Sequence, residues 1–365
     1  FEGNVSFDGP GGALMLEASS FFDTPSSIVN VEFVENLAGS NGGAARVRRD
    51  VDFVNCLFAR NEATDDAGPD PGVGAAIATF GGLTRILNST IADNLAFNDF
   101  DPGTENMPGV GAGFYLGGGD VQVRNSVLWG NRVDNGSGLA SHHLAQMSLY
   151  ATDNTLATTE LAYSNVENYR VCQGIFCPST VPDFFNIGDD LILHDPLFAD
   201  PPSDNYRHRS FYLMDVGNDA DLPEDVNDVD DNSNSTEKLP LDLRLAIRKR
   251  NAAVDMGAYE WCKGDYTGDG VVDGGDVGLL TGYWGPCPEF DPCPGDLDGD
   301  GLVNGVELGI VLGGSDCSNW PPLLSLSSLV ELLADSYAFE SVEEFLDWLD
   351  TLTFEERWDA LEPLM

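Results

Sequence analysis

Two short acidic segments in the last third of the chain carry oxygen-bearing side chains at the same spacing. Residues 265–276 read Asp-Tyr-Thr-Gly-Asp-Gly-Val-Val-Asp-Gly-Gly-Asp, and residues 296–307 read Asp-Leu-Asp-Gly-Asp-Gly-Leu-Val-Asn-Gly-Val-Glu. Each segment has a side-chain oxygen at positions 1, 3, 5, 9 and 12 and a glycine at position 6, where the chain must turn sharply. Ca²⁺ takes six to eight hard oxygen ligands around such a turn. The two segments therefore predict two calcium sites.

The two segments resemble EF-hand loops. Each leads into an apolar stretch that is expected to form a helix, so the pair resembles a type I dockerin module. This resemblance implies two bound Ca²⁺ ions. The implied ligands are Asp265, Thr267, Asp269, the carbonyl of Val271, Asp273 and Asp276 in the first loop, and Asp296, Asp298, Asp300, the carbonyl of Leu302, Asn304 and Glu307 in the second. Because Thr267 replaces the usual Asn or Asp, the first site is expected to be the weaker.

The loops depart from the dockerin pattern at positions 10 and 11. Dockerins that bind cohesin domains usually carry hydroxylated residues there, whereas this chain has Gly274-Gly275 and Gly305-Val306. This difference argues against cohesin as a partner and favours an intramolecular or self-associating role.

Cysteine usage indicates disulfides. Four of the seven cysteines lie between Cys262 and Cys317, and Cys172 and Cys177 form another close pair. Within the dockerin-like module, we expect Cys287 to pair with Cys293 and Cys262 to pair with Cys317. Such clustering is typical of an oxidising compartment, so the protein is expected to be secreted, extracellular or on the cell surface. Cys-x2-Cys spacing is absent, which argues against zinc.

A second pattern, the Asn repeat, occurs four times in the first third of the chain. Its copies run from a first Asn to a second: Asn30 to Asn36, Asn55 to Asn61, Asn88 to Asn94 and Asn125 to Asn131. In each copy one apolar residue lies two places before the first Asn and another lies three places after it. Because a strand alternates its faces, these residues share a face only if the chain bends at the Asn. The repeat predicts two short strands joined by a bend, stacked copy on copy, with Asn side chains hydrogen-bonded along the stack.

The repeat resembles the right-handed parallel β-helices of large bacterial surface proteins. A later stretch ending in Val254-Asp-Met-Gly-Ala-Tyr-Glu260 resembles the closing segment of such β-helices in secreted, planctomycete-like bacterial proteins. These resemblances imply a mainly β fold class, in which a right-handed parallel β-helix (a solenoid) over residues 1–261 precedes a small α-helical dockerin-like module over residues 262–319. Apolar residues at helical spacing predict an acidic helical tail over residues 320–365.

The charge of the chain excludes several partners. The net charge is −44, the sequence pI is about 4.1, and the lysines are Lys238, Lys249 and Lys263. Such a surface repels nucleic acid and anionic membranes, so neither is expected as a partner.

No signal peptide or membrane-spanning run is visible. The acidic run from Asp225 to Asn234 fits a solvated turn better than a cation site.

No catalytic set is evident. β-Helix enzymes that cleave acidic polysaccharides resemble one another in having calcium-binding carboxylates and a basic residue on one sheet. The bases available here are Arg46, Arg48, Arg49, Arg85 and Arg124, and ion pairs on an acidic surface account for them more simply. No catalytic residue and no organic cofactor is therefore assigned, and the chain is expected not to be an enzyme. If it is one, a polysaccharide lyase or glycoside hydrolase is expected.

These patterns favour a calcium-stabilised structural protein of the cell surface. Because Phe1 lies almost inside the first coil, either the chain has been processed or something covers that coil. A second copy docking there head to tail would build a filament, a homopolymer. The alternative is a polysaccharide-binding or polysaccharide-cleaving protein anchored by its dockerin-like module, with cell-surface polysaccharide as the partner.

Overall fold

The computed structural model describes residues 1–7, 9–18, 25–64, 72–97, 111–134, 147–149, 159–167, 185–187, 191–250, 252–267, 271–288, 293, 295–297 and 300–312. The chain divides into two units, Phe1–Ser318 and Asn319–Met365. The helical tail predicted over residues 320–365 lies outside the described residues, as do Cys172, Cys177 and Cys317. The predicted boundary between residues 261 and 262 falls inside the first unit and stays a prediction.

Short strands account for most of the regular structure. In chain order they are β1 (Val5–Ser6), β2 (Leu14–Leu16), β3 (Ser26–Val29), β4 (Glu32–Val34), β5 (Leu37–Ala38), β6 (Ala45–Val47), β7 (Val51–Val54), β8 (Leu57–Ala59), β9 (Glu62–Ala63), β10 (Ile77–Leu87), β11 (Thr90–Ala92), β12 (Leu95–Phe97), β13 (Phe114–Arg124), β14 (Val127–Trp129), β15 (Arg132–Asp134), β16 (Met147–Leu149), β17 (Thr159–Ala162), β18 (Asn165–Val166), β19 (Phe185–Ile187), β20 (Gly285–Pro286) and β21 (Leu302–Val303). The helices are α1 (Gly274–Gly282) and α2 (Gly305–Leu312), with 3-10 turns at Pro201–Ser203, Phe211–Leu213 and Asp219–Asp221.

The strands form three parallel sheets and one small antiparallel pair. One five-stranded sheet runs β1-β5-β9-β12-β15, and a second, here called the β4 sheet, runs β18-β14-β11-β8-β4. The nine-stranded sheet has the path β19-β17-β13-β10-β6-β2, with β16 beside β13 and with β7 between β10 and β3. The antiparallel pair joins β20 to β21.

The Asn repeat sets the register of these sheets. In the β4 sheet, the apolar residue three places after each first Asn pairs with its equivalent in the next copy, as Phe33 does with Phe58. In the nine-stranded sheet, the residue two places before each first Asn does the same, and Ile28 pairs with Phe53. These apolar residues of the repeat are fully buried in one core cluster, except for Ile28, which is partly buried. In this cluster the Phe33 and Phe58 rings stack with their centroids 4.7 Å apart. The predicted pair of strands joined by a bend is confirmed.

Two left-handed residues make the bends of each copy. The first Asn of every copy has a positive φ: 55° at Asn30, 49° at Asn55, and 48° at both Asn88 and Asn125. Asn tolerates this region better than most residues because its short polar side chain bonds locally. The residue before each second Asn is left-handed too, and in the fourth copy it is Gly130, with φ 69°. Each copy therefore turns twice, once on each side of its β4-sheet strand.

The second Asn of each copy forms a buried ladder. Asn61 Nδ2 donates to Asn94 Oδ1 at 2.9 Å, and Asn94 Nδ2 donates to Asn131 Oδ1 at 2.7 Å. Asn36 joins the ladder through Asn61, and these four side chains are at most 1 % exposed. Hydrogen bonding along the stack satisfies amides that would be costly to bury alone. The predicted Asn ladder is confirmed for the second Asn of each copy.

The predicted fold class needs correction. The sequence predicts a β-helical solenoid followed by a helical module and a helical tail. The described residues instead form a mainly β protein of stacked parallel sheets, not a clear β-helix solenoid, and they contain only the two short helices α1 and α2, which do not amount to a helical module. The physical reason is that successive copies of the repeat do not form the same set of strands. The strands β10 and β13 each run unbroken for 11 residues, whereas the equivalent stretch of an earlier copy is divided into β6 and β7.

Residues 191–261, here called the lateral segment, lie against the turns of the repeat and the β4 sheet. Asn55 Nδ2 donates to the carbonyl of Leu241 at 2.6 Å, and the backbone N–H of Ala258 donates to Thr90 Oγ1 at 3.0 Å. Tyr259, which is 1 % exposed, packs in a cluster with Leu57 and other residues of the sheet. The lateral segment thus covers one side of the stacked sheets and ends where the acidic loops begin.

Candidate metal centre

The two acidic loops end by starting a helix at the same position. Residue 9 of each loop is the residue just before the helix: Asp273 before α1 and Asn304 before α2. Asp273 Oδ1 accepts the backbone N–H of Gly275 at 2.7 Å, and Asn304 Oδ1 accepts that of Val306 at 2.9 Å. A side-chain oxygen here satisfies an N–H that the helix leaves unpaired, which explains why both helices begin there.

Position 12 holds a buried carboxylate in both loops. Asp276 and Glu307 are 0 % exposed. Each accepts the backbone N–H of its own residue 9 at 2.7 Å, through Asp276 Oδ2 and Glu307 Oε2. These reciprocal bonds form a capping box in the first loop. They also turn both carboxylates back from the helix into the loop, the direction that metal binding requires.

The first residues of the loops are buried as well. Asp265 is 2 % exposed and Asp296 is 4 % exposed. In the first loop, Thr267 links positions 1 and 12, since its hydroxyl donates to Asp265 Oδ1 at 3.3 Å and its N–H donates to Asp276 Oδ1 at 2.9 Å. In the second loop, the two oxygens of Asp296 accept the N–H groups of residues 300 and 301.

Some of the remaining predicted ligands lie within the described residues and others do not. Val271 and Leu302 have exposed side chains, which suits residues expected to ligate through their carbonyls. Asp300 Oδ1 accepts the N–H of Leu302 at 2.8 Å. Asp269 and Asp298, which supply position 5 of the first loop and position 3 of the second, lie outside the described residues.

The loops are joined by strands, a disulfide and a shared core. The pair β20–β21 connects the turn after α1 to the second loop. Cys287 is bonded to Cys293, as the sequence predicts. Cys262 is also disulfide-bonded, and Cys317, the partner expected for it, lies outside the described residues. Cys56 is a buried free thiol.

Carboxylates of both loops surround one tyrosine. The hydroxyl of Tyr266 donates to the carbonyl of Gly295 at 3.2 Å. Burial raises the pKa of Tyr266, and the negative charges of Glu307, Asp276 and Asp296 raise it further. The acidic ligands of the two loops therefore act on the same small volume. A dication would relieve this accumulation of negative charge.

The second loop also contains an unpaired buried oxygen. Among the described residues, Glu307 Oε1 has no hydrogen-bond partner, although its residue is fully buried. Leaving such a charged oxygen unsatisfied is costly, by roughly 1–3 kcal/mol or more. An oxygen-seeking cation is the partner that the ligand set of this loop would take, so the residues fit Ca²⁺.

An ion pair and two hydrogen bonds are among the contacts between the described residues of the first loop and the lateral segment. Arg207 Nη1 lies 3.7 Å from Asp265 Oδ2, and Arg209 Nη1 donates to the carbonyl of Tyr266 at 3.3 Å. Trp261 Nε1 donates to the carbonyl of Asp265 at 3.1 Å. Burial lowers the pKa of Arg207, with the charge of Arg244 adding to the effect, while Asp265 and other acidic groups oppose it. No sequence signal marked Arg207 as a neighbour of the acidic loops.

Three carboxylates outside the two loops lie close enough together to share a metal ion. Among the described residues, Asp225, Asp230 and Glu237 have carboxylate oxygens all within 4.8 Å of one another. They belong to or adjoin the acidic run that the sequence interprets as a solvated turn. Asp225 accepts the N–H of Val229 with both oxygens, so its carboxylate already shapes that turn.

Four of the five arginines considered as catalytic bases lie in ion pairs. Arg85 donates twice to Asp52, at 2.6 and 2.5 Å, and Arg124 Nη2 lies 2.9 Å from Glu160. Glu17 pairs with both Arg46 and Arg48. These pairs agree with the interpretation that the arginines form ion pairs on an acidic surface.

The lateral segment contains a buried charged cluster that the sequence did not reveal. His208 Nε2 lies 3.4 Å from Asp255 Oδ2, and Arg248 Nη2 donates to the carbonyl of Asp255 at 2.9 Å. Burial raises the pKa of Glu260 well above its ordinary value, the charge of Asp255 raises it further, and Arg248 opposes both. The motif Val254–Glu260 marked this stretch only as a fold resemblance.

Among the helices of the described residues, none is long and apolar enough to cross a membrane. No protein-family model, no curated protein and no solved structure matches this chain.

Proposed function

We propose that this protein is a calcium-stabilised structural protein that works outside the cell. Its parallel sheets serve as the scaffold, and the loops 265–276 and 296–307 each take one Ca²⁺ ion. The observation that carries the proposal is Glu307, a fully buried carboxylate with one unpaired oxygen in a loop of suitable ligands.

The equivalence of the loops supports the calcium assignment. In both loops a helix starts directly after residue 9, and the carboxylates of residues 1 and 12 are buried. In both, the carboxylate of residue 12 accepts the backbone N–H of residue 9 at the same distance. Two copies of one geometry are what a duplicated ion site requires. Ca²⁺ would offset the negative charge that both loops concentrate around Tyr266.

The placement of the loops supports a stabilising role. Arg207, Arg209 and Trp261 bond the first loop to the lateral segment, which in turn packs on the β4 sheet. An ion that orders the loop therefore also favours the contacts that Arg209 and Trp261 make with its carbonyl oxygens. The Cys287–Cys293 disulfide favours an oxidising, extracellular setting.

Self-association is the second part of the proposal. Among the described strands, β1 and β2 lie at the edges of their sheets. Apolar side chains are exposed beside them: Phe1 is 58 %, Val5 48 %, Phe7 75 % and Met15 47 % exposed. Open strand edges template pairing with another chain. A second copy of this chain docking there without closing a ring would build a filament.

Thermal unfolding tests the calcium role. A ligand at about 100 times its Kd stabilises the folded protein by about 2.7 kcal/mol per site, so Ca²⁺ should raise the Tm by several degrees over the EDTA-treated protein. Glu307→Gln should lose much of that gain, and the exposed control Glu224→Gln should keep it. An equal Tm with Ca²⁺ and with EDTA would refute a stabilising role.

Sedimentation velocity tests the assembly role. The full chain should form particles larger than a monomer in Ca²⁺, and Phe7→Asp should reduce them. Monomers alone at high protein concentration in Ca²⁺ would refute self-association and leave the calcium role standing.

A further inference from the structure

The guanidinium group of Arg207 lies beside a carboxylate of the first loop. Arg207 belongs to the lateral segment, and its Nη1 is 3.7 Å from Oδ2 of Asp265, the first predicted ligand of that loop. The Arg207 side chain is 12 % exposed and that of Asp265 only 3 %. The pair is therefore largely shielded from water, where charges interact more strongly than on an open surface.

We propose that Arg207 is a built-in counter-charge to Ca²⁺ at the first loop, holding Asp265 when the ion is absent and weakening calcium binding there. The inference rests on the proposed calcium function and adds a regulator to it. Its consequence is an order of loading, in which the second loop takes Ca²⁺ at a lower concentration than the first.

Simple electrostatics gives the direction of the effect. A Ca²⁺ ion bound through Asp265 lies close to a guanidinium, and the two positive charges repel each other while they compete for one carboxylate. The second loop differs, because Asp296 accepts neutral backbone N–H groups of its own loop, at 3.2 and 2.9 Å. Those donors carry no net charge to oppose the ion.

The coupling must act in both directions. If Arg207 weakens calcium binding, then bound calcium weakens the bond between Arg207 and Asp265 by the same factor. That ion pair connects the first loop to the lateral segment, as do the hydrogen bonds of Arg209 and Trp261. Filling the first loop therefore loosens one link to the sheets, whereas filling the second loop does not.

Titration calorimetry of the chelator-treated full chain tests the proposal. Glu307→Gln is introduced first, so that the heat reports mainly on the first loop. In that background Arg207→Gln should tighten calcium binding about tenfold, the order of effect of one partly buried ion pair. Arg207→Lys, which keeps the charge, should stay near the parent value. The matched control is Arg209→Gln. Arg209 donates to the carbonyl of Tyr266 in the loop and to those of Leu197 and Phe198 in the lateral segment. Among the described residues it pairs with no predicted ligand carboxylate, so Arg209→Gln should not tighten binding.

Each outcome decides the question. Unchanged or weaker calcium binding in Arg207→Gln, with binding intact in the parent, overturns the proposal and leaves the calcium function standing. Absence of calcium binding in the unsubstituted chain overturns both. If Arg207→Gln does not fold without Ca²⁺, Arg207→Met keeps the apolar stem packed and is titrated instead, with the same tightening expected.

Discussion

The buried Asn ladder gives the sharpest stability prediction, at Asn94. This side chain is 0 % exposed. Its Oδ1 accepts the N–H and the Nδ2 group of Asn61, both at 2.9 Å, and its Nδ2 donates to the carbonyl of Phe58 at 3.0 Å and to Asn131 Oδ1 at 2.7 Å. Its Nδ2 also donates to the carbonyl of Ala92 at 3.0 Å. Asn94→Ala removes these five bonds at once in a place that water does not reach.

The magnitude follows from the groups left unpaired. Asn61 loses two donor bonds, and three acceptor oxygens lose one bond each. Asn61 Nδ2 keeps its bond to the carbonyl of Phe33, and Asn131 Oδ1 keeps that from the backbone N–H of residue 94. Each buried group left unsatisfied costs roughly 1–3 kcal/mol. Part of this cost is recovered by relaxation and by the remaining ladder bonds, so the expected loss is about 3–5 kcal/mol. That is a large share of the ~5–15 kcal/mol by which proteins are ordinarily stable.

Urea unfolding, followed by circular dichroism at fixed calcium concentration, measures this loss. The matched control is Asn4→Ala. Asn4 is exposed and donates to Asn36 Oδ1 at 2.8 Å at the end of the same ladder. Water can replace its bonds, so the expected loss is below about 1 kcal/mol. Equal losses in the two variants, or a loss below about 1 kcal/mol for Asn94→Ala, would show that burial does not give the ladder its strength.

Two further predictions concern close packing and pH. A Cβ on Gly43 would come within 2.3 Å of the backbone oxygens of Glu62 and Ala75, so Gly43→Ala should lower the free energy of unfolding by more than about 2 kcal/mol. In α1 a Cβ on Gly278 meets nothing within 4 Å, so Gly278→Ala should raise that free energy by about 0.5–1 kcal/mol. Urea unfolding measures both changes. Burial keeps Glu260 protonated to a higher pH in the folded than in the unfolded chain, so its contribution is present at low pH and is lost as pH rises from about 4.5, the ordinary glutamate value, through the raised pKa. Glu260→Gln should therefore gain stability relative to the parent over that rise, while the exposed control Glu224→Gln should show no such trend; parallel stability curves for parent and Glu260→Gln would contradict the assignment.

Local structure could be predicted from the sequence where a residue type has a single physical role. The stacked apolar positions, such as Phe33 on Phe58, follow from the alternation of strands, and the ladder through Asn61 and Asn94 follows from the need to pair buried amides. The start of α1 at Asp273 follows from its capping oxygen in the same way. In each case a residue and its neighbours a few places away contain the information.

Long-range geometry could not be predicted in that way. The Asn repeat implies coils of one kind, but whether β10 runs on for 11 residues or divides as β6 and β7 do depends on packing between copies, and the predicted solenoid was wrong for that reason. The contact of Arg207 with Asp265 joins residues 58 positions apart, and no periodicity relates them. The buried cluster around Asp255 is likewise assembled from the whole lateral segment.

The number of calcium ions bound per chain tests the central claim most directly. Calorimetric titration of the chelator-treated protein should give two ions for the unsubstituted chain and one for Glu307→Gln, with little binding of Mg²⁺ under the same conditions. Glu237→Gln, which alters the acidic group of Asp225, Asp230 and Glu237, should still bind two. No bound calcium, or a stoichiometry that falls with Glu237→Gln and not with Glu307→Gln, would contradict the assignment of the two loops.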